Sequence, residues 1–135
     1  MAIICSDYER SKKFYTEVLG FTVKLEHYRA ERQSYKLDLC INDHYQIELF
    51  SFPNSAERAN YPEARGLRHL AFAVEDIDAA ISDLQGKGVE PEAVRIDELT
   101  GKRYTFFKDP DGLPLELYEE WFFPAGRMSQ VCAPG

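Results

Sequence analysis

The chain nearly repeats itself, and a repeat constrains a fold strongly because each copy must be the same structural unit. Residues 67–74, Leu-Arg-His-Leu-Ala-Phe-Ala-Val, alternate as a strand does, and Glu75-Asp76 then opens a helix. Ile77, Ala80, Ile81 and Leu84 recur at helical spacing until Gly86 and Gly88 close the element. A strand-like run from Lys102 to Lys108 follows, then a turn at Asp109-Pro110-Asp111-Gly112 and a last strand from Leu113 to Tyr118. The first half has the same order. Ala2 to Cys5 reads as a strand, Ser6 or Asp7 as an N-cap, and Tyr8, Ser11, Phe14, Tyr15, Val18 and Leu19 as a helical stripe ended by Gly20. Strands near Phe21–Tyr28, Ser34–Ile41 and Tyr45–Phe50 complete it, with a turn at Asn42-Asp43. The prediction is one α+β domain over 1–120 made of two βαβββ modules, about 1–50 and 67–119, joined by a polar linker over 51–66.

The register of the repeat singles out particular residues. Asp7 and Asp76 stand 69 apart, while Gln46-Ile47-Glu48-Leu49-Phe50 and Pro114-Leu115-Glu116-Leu117-Tyr118 stand 68 apart. Each last strand therefore carries a lone glutamate among apolar neighbours, Glu48 and Glu116. Strand alternation sets each glutamate on the face opposite its flanking Ile or Leu. Either one alone reads as the polar residue of a half-exposed strand. Equivalent places in two repeats, related by a pseudo-twofold axis, are the reason to pick them out. His69 opens the first strand of the second half, and with the two carboxylates it offers one nitrogen and up to four oxygens to a divalent ion. The position opposite His69 in the first half is residue 0, ahead of Met1, so a symmetric fourth ligand is not expected in this sequence.

Composition narrows the function classes. The 135 residues carry a formal net charge of −7 and a pI near 5.0, which argues against nucleic acid as a partner. No apolar run reaches membrane-spanning length, and no charged-then-apolar leader opens the chain, so no membrane association is expected. Cys5, Cys40 and Cys132 form no short-spaced pair, and the expected location is the cytoplasm. No Gly-rich phosphate loop, G-x-S-x-G elbow, H-E-x-x-H or C-x-x-C is present. His27 and His44 read as surface residues. Arg29, Arg32, Lys36, Lys102 and Arg103 are candidates to fix an anionic substrate, although charged strand positions are usually only solvated. Tyr104 and Phe106 share a strand face beside Glu116 and are candidate substrate-binding residues. The aromatic cluster Trp121-Phe122-Phe123-Pro124 is expected to dock on the body or on a partner subunit, and 125–135 to add little stability.

The opening Ala-Ile-Ile-Cys-Ser-Asp-Tyr-Glu-Arg-Ser-Lys-Lys-Phe-Tyr-Thr-Glu-Val-Leu-Gly-Phe resembles the first strand and helix of the vicinal oxygen chelate superfamily. Gly-Leu-Arg-His-Leu-Ala-Phe-Ala-Val-Glu-Asp-Ile-Asp and Phe-Lys-Asp-Pro-Asp-Gly-Leu-Pro-Leu-Glu-Leu-Tyr resemble its second half, and the likeness over about 1–119 points to the glyoxalase I-like branch. The resemblance implies a cupped mixed sheet around a divalent metal (nickel, zinc or manganese), with Glu48, His69 and Glu116 at three ligand positions. With the fourth absent, partial occupancy is expected, or water filling the gap. The resemblance also implies a small vicinal-oxygen substrate, an enediolate-type intermediate, and Glu116 or Glu48 as catalytic base. Lyase or isomerase chemistry of the lactoylglutathione lyase type is the first reading. A non-catalytic small-molecule or drug-binding protein with a weakened metal site is the alternative. A homodimer is expected, with modules paired within one chain or exchanged so that Glu48 of one subunit meets His69 and Glu116 of the other.

Overall fold

The computed structural model describes residues 1–120, so the expectations about 121–135 lie outside the described residues. The first module runs β1 (Ala2–Cys5), α1 (Tyr8–Lys13), β2 (Thr22–Arg29), β3 (Ser34–Cys40) and β4 (Gln46–Ser51). The second runs β5 (Leu70–Val74), α2 (Ile77–Gly86), β6 (Arg95–Ile96), β7 (Arg103–Lys108) and β8 (Pro114–Glu119). Each module forms a four-stranded mixed sheet, in the orders β1-β4-β3-β2 and β5-β8-β7-β6. The two orders are the same topology. In each, the first strand is parallel to the last and the remaining pairs are antiparallel.

The helices start by the same device. Asp7 accepts a hydrogen bond from the Arg10 amide at 3.1 Å, and Asp76 accepts one from the Ala79 amide at 3.0 Å. Both satisfy a donor that the first helical turn leaves free. Helix α1 continues into a wider turn over Phe14–Val18, where the Leu19 amide reaches back to the Phe14 carbonyl at 3.1 Å. That extra residue per turn turns Phe14, Tyr15 and Leu19 inward together.

Strand alternation sends Leu37, Leu39, Ile47 and Leu49 of one sheet, and Phe72, Leu115 and Leu117 of the other, into one apolar cluster. Rings from both modules meet there: Phe21 and Phe72 lie 5.7 Å apart between centroids, and Phe14 and Phe107 lie 6.4 Å apart. Fully buried Tyr15 donates to Asp109 at 2.8 Å, which fastens α1 to the turn that leads into β8. Gly112 supplies the left-handed residue of that turn, at φ 84°.

Two details differ from the sequence reading. The second strand of the second module, for which no segment stood out, is β6, two residues long and paired only as Arg95–Tyr104 and Ile96–Arg103. Its surroundings are polar and both of its residues are exposed, so no alternation marks it. His69 does not open β5 but stands one residue before it.

Candidate functional site

The faces that point away from the core carry the candidate residues. On β8, Glu116 lies between Ala71 of β5 and Phe106 of β7 in the strand register. Ala71 is small and leaves room above the carboxylate. Two residues before Ala71, on the same side, His69 brings its Nε2 to 3.6 Å from Glu116 Oε1. That separation is too long for a hydrogen bond. Among the described residues neither side chain has a hydrogen-bond partner, although the Glu116 side chain is only 13% exposed. Burial pushes the Glu116 carboxyl above the ordinary carboxylate range, the His69 charge pulls it back, and Asp97 adds to the rise. The His69 ring stands edge-on to Phe106, with centroids 5.1 Å apart.

Glu48 occupies the equivalent place in the first module. It pairs with Ala2 of β1 as Glu116 pairs with Ala71 of β5. The register of the two sheets therefore reproduces the offset read from the sequence. Its nearest cation is Lys36, whose Nζ lies 3.9 Å from Glu48 Oε2 and 2.9 Å from Asp38 Oδ1. Within one chain His69 and Glu116 come together and Glu48 does not join them: among the described residues no three His, Cys, Asp or Glu side chains gather as a metal site.

The aromatic candidates separate. Phe106 lines a cavity of about 270 Å³ together with His69, whereas Tyr104 is not among its walls. Tyr104 instead stacks on Tyr118 at 6.3 Å, and Tyr118 donates to Asp97 at 2.8 Å. Among the candidate cations, Arg103 is taken up by Glu119 and Asp78, and Lys102 by Glu120. Arg29 lies over the rings of Phe50 and Phe52 and donates to Ser34. His27 and His44 are exposed, as expected. Sequence reasoning passed over Arg68, Arg95 and Lys108, which line the cavity beside His69. The adjacency of Arg68 to His69 and the shared face of Lys108 and Phe106 were the available signals.

Residues 1–117 match the Glyoxalase/Bleomycin resistance protein/Dioxygenase superfamily. The chain belongs to that superfamily. It is 63% identical over 120 residues to the protein YwkD of Bacillus subtilis, covering 89% of this chain and 94% of that one. A glyoxalase family protein from Enterococcus faecalis has a solved structure that superposes with a TM-score of 0.84 at 50% identity, over 88% of this chain and 94% of that one. A more distant relative, 28% identical over 122 residues and 89% of this chain against 88% of its own, is a probable lactoylglutathione lyase of Vibrio parahaemolyticus. Superfamily members commonly bind divalent metals and small molecules and are often dimers. Among the described residues no helix is long and apolar enough to cross a membrane.

The two donors brought together, His69 and Glu116, are of the types a divalent ion of that kind takes, and among the described residues no third joins them within one chain. Zinc-like ions take imidazole nitrogen and carboxylate oxygen at about 2.0–2.2 Å, which sets tetrahedral donors about 3.4 Å from one another. The 3.6 Å between His69 and Glu116 matches that spacing without the two groups bonding each other.

Proposed function

We propose that this superfamily member is a glyoxalase I-like, metal-dependent lyase or isomerase acting on a small substrate with two adjacent oxygens. The observation that carries the reading is the His69–Glu116 pair, largely buried at Glu116, unbonded, and open above Ala71. The Vibrio parahaemolyticus relative supports the reaction class. His69, Glu116 and Glu48 would hold nickel, zinc or manganese, and Glu48 reaches the pair through module exchange in a homodimer. A metal held there would supply Lewis-acid polarisation of two adjacent substrate oxygens, which would make the neighbouring C–H more acidic. Glu116 serves as the base, because no hydrogen-bond donor among the described residues holds its carboxylate and it is free to take the proton whenever it is not serving as a ligand. Phe106 excludes water from one side of His69 and offers a ring face to the substrate, with Tyr104 flanking it on the same strand. Partial occupancy is expected, with water completing the shell. The proposed setting is the cytoplasm, where Cys5 and Cys40 stay as thiols.

A second reading, binding of a small molecule without catalysis, is favoured by the two-donor set within one chain. Calorimetric titration of manganese, nickel and zinc separates the readings. Wild type should bind at least one of these ions, and His69→Ala should lose that binding because it removes the nitrogen donor. Equal affinity in both proteins would overturn the metal assignment and leave the binding reading.

A further inference from the structure

The cavity beside His69 is more basic than the rest of this acidic chain. Three cations, Arg68, Arg95 and Lys108, line it with a single carboxylate, Glu92, although the chain as a whole carries −7. Glu92 is taken up by Arg95, its ion-pair partner. Arg68 approaches Glu63 only at 3.9 Å, with both side chains more than half exposed, a contact of little strength. Lys108 has no carboxylate or hydrogen-bond partner among the described residues. Cations gathered in a concavity without matching anions create a local positive potential that favours a negatively charged ligand.

The wall is also held in place. Arg58 donates to the Arg68 carbonyl at 2.8 Å, to the Leu67 carbonyl, and to Asn60 at 2.7 Å. Asn60 in turn donates to the Gly112 carbonyl at 3.0 Å. The linker that precedes β5 is thereby tied to the turn before β8, which fixes the backbone of Arg68 and His69 relative to Glu116. Arg95 packs over one side of Phe106, 5.8 Å from its centroid, while the His69 ring stands edge-on to it. His69 lines this cavity and Glu116, which is not among its walls, stands 3.6 Å from the imidazole, so the charged cavity and the His69–Glu116 pair meet at His69. The cavity, about 270 Å³, sits at the small end of ligand cavities, which run from about 300 to 1,000 Å³.

We infer that the ligand of this site is a small anion, a carboxylate or phosphate, whose charged group rests on Arg68 and Lys108 while the rest reaches His69. This inference rests on the reading of His69 and Glu116 as the chemical centre. The charge sits on the cations, because Glu116, 3.6 Å from His69, repels an anion that comes close to the imidazole. A bulky conjugate does not suit a space of this volume. Arg68 and Lys108 are positioning residues for the anion and take no part in proton transfer.

The test uses metal-free protein and simple probes: inorganic phosphate, malonate, and neutral malonamide as the uncharged match for malonate. The His69 ring resonances, assigned by comparison with His69→Asn, report occupancy beside the pair. Malonate, phosphate or both should shift them saturably, and malonamide should not. Arg68→Gln/Lys108→Gln, both at exposed positions and checked for folding by circular dichroism, should weaken the anion by about tenfold or more. Lys13→Gln, an exposed cation on α1, should leave the affinity unchanged. A response to malonate alone assigns the site to carboxylates, and a response to phosphate alone assigns it to phosphates. Equal response to malonamide, no response to either anion, or unchanged affinity in the double variant overturns the inference. If no metal binds yet the anion response and its loss in the double variant persist, the metal-dependent reaction falls and this inference stands. If metal binds at His69 but the anion ignores Arg68 and Lys108, the reverse holds.

Discussion

Replacing Tyr15 by Phe tests whether the bond between α1 and the β8 turn holds the two modules in register. The ring is fully buried and meets Phe14 edge-on at 5.2 Å and Phe21 at 6.2 Å, contacts that phenylalanine keeps. Only the hydroxyl is removed, and with it the 2.8 Å bond to Asp109. Asp109 keeps the amides of Asp111 and Leu113 on Oδ1, each at 2.9 Å, but its Oδ2 loses the Tyr15 donor at a residue only 5% exposed. Loss of a hydrogen bond to a buried charged group costs about 1.5–3 kcal/mol, which for a domain of this size lowers the melting temperature by about 5–15 °C. The pH dependence makes the test sharper. Burial holds the Asp109 carboxyl above the ordinary carboxylate range, while the Leu113 amide and the Tyr15 hydroxyl pull it back. A carboxyl raised in the folded state binds its proton more tightly there than in the unfolded chain. Stability therefore falls as pH rises from the unfolded value to the folded one. Removing the Tyr15 hydroxyl raises the folded value further and extends that fall to higher pH. Wild type and Tyr15→Phe should be closest in acid and diverge as pH rises from about 4 to 7. Urea unfolding across that range measures it. A difference that does not change with pH, or one below about 0.5 kcal/mol at neutral pH, would show that the hydroxyl does not carry the Asp109 charge.

Asp76→Ala removes the α2 cap and should cost about 1 kcal/mol, and Asp7→Ala should cost α1 a similar amount, both read by thermal unfolding. Ala71→Leu fills the space above Glu116 from an exposed position, so it should abolish metal uptake in calorimetry while leaving the melting temperature nearly unchanged. In an exchanged dimer, mixing Glu48→Ala with His69→Ala protein should restore about a quarter of wild-type metal uptake, because half the dimers are mixed and each holds one intact site. Modules paired within one chain would restore none.

The repeat was legible because it is written in local terms. Apolar periods of two and of about 3.6 residues, an Asp cap before each helix and glycine after it report elements that short-range sterics and hydrogen bonds impose. The superfamily followed from the same segments, and with it the topology that sets Glu48 opposite Ala2 and Glu116 opposite Ala71. The two-residue β6 left no trace, because an element that short has no period to read.

The cation candidates show what no local signal could supply. Arg103 and Lys102 read as free strand charges, yet packing hands them to Glu119, Asp78 and Glu120 from distant parts of the chain. Arg68, Arg95 and Lys108 lie just before β5, on β6 and on β7, and only the folding of the second sheet gathers them around one cavity. Apart from β6, the sequence by itself determined the elements, their order, their faces and the carboxylates on those faces, because each depends on neighbours a few residues away. The tertiary structure alone decided that His69 stands 3.6 Å from Glu116, that Glu48 lies apart from them in one chain, and which charges are used up in ion pairs. Those outcomes depend on distances between residues far apart in the chain, and such distances exist only once the sheets have formed and the core has closed between them.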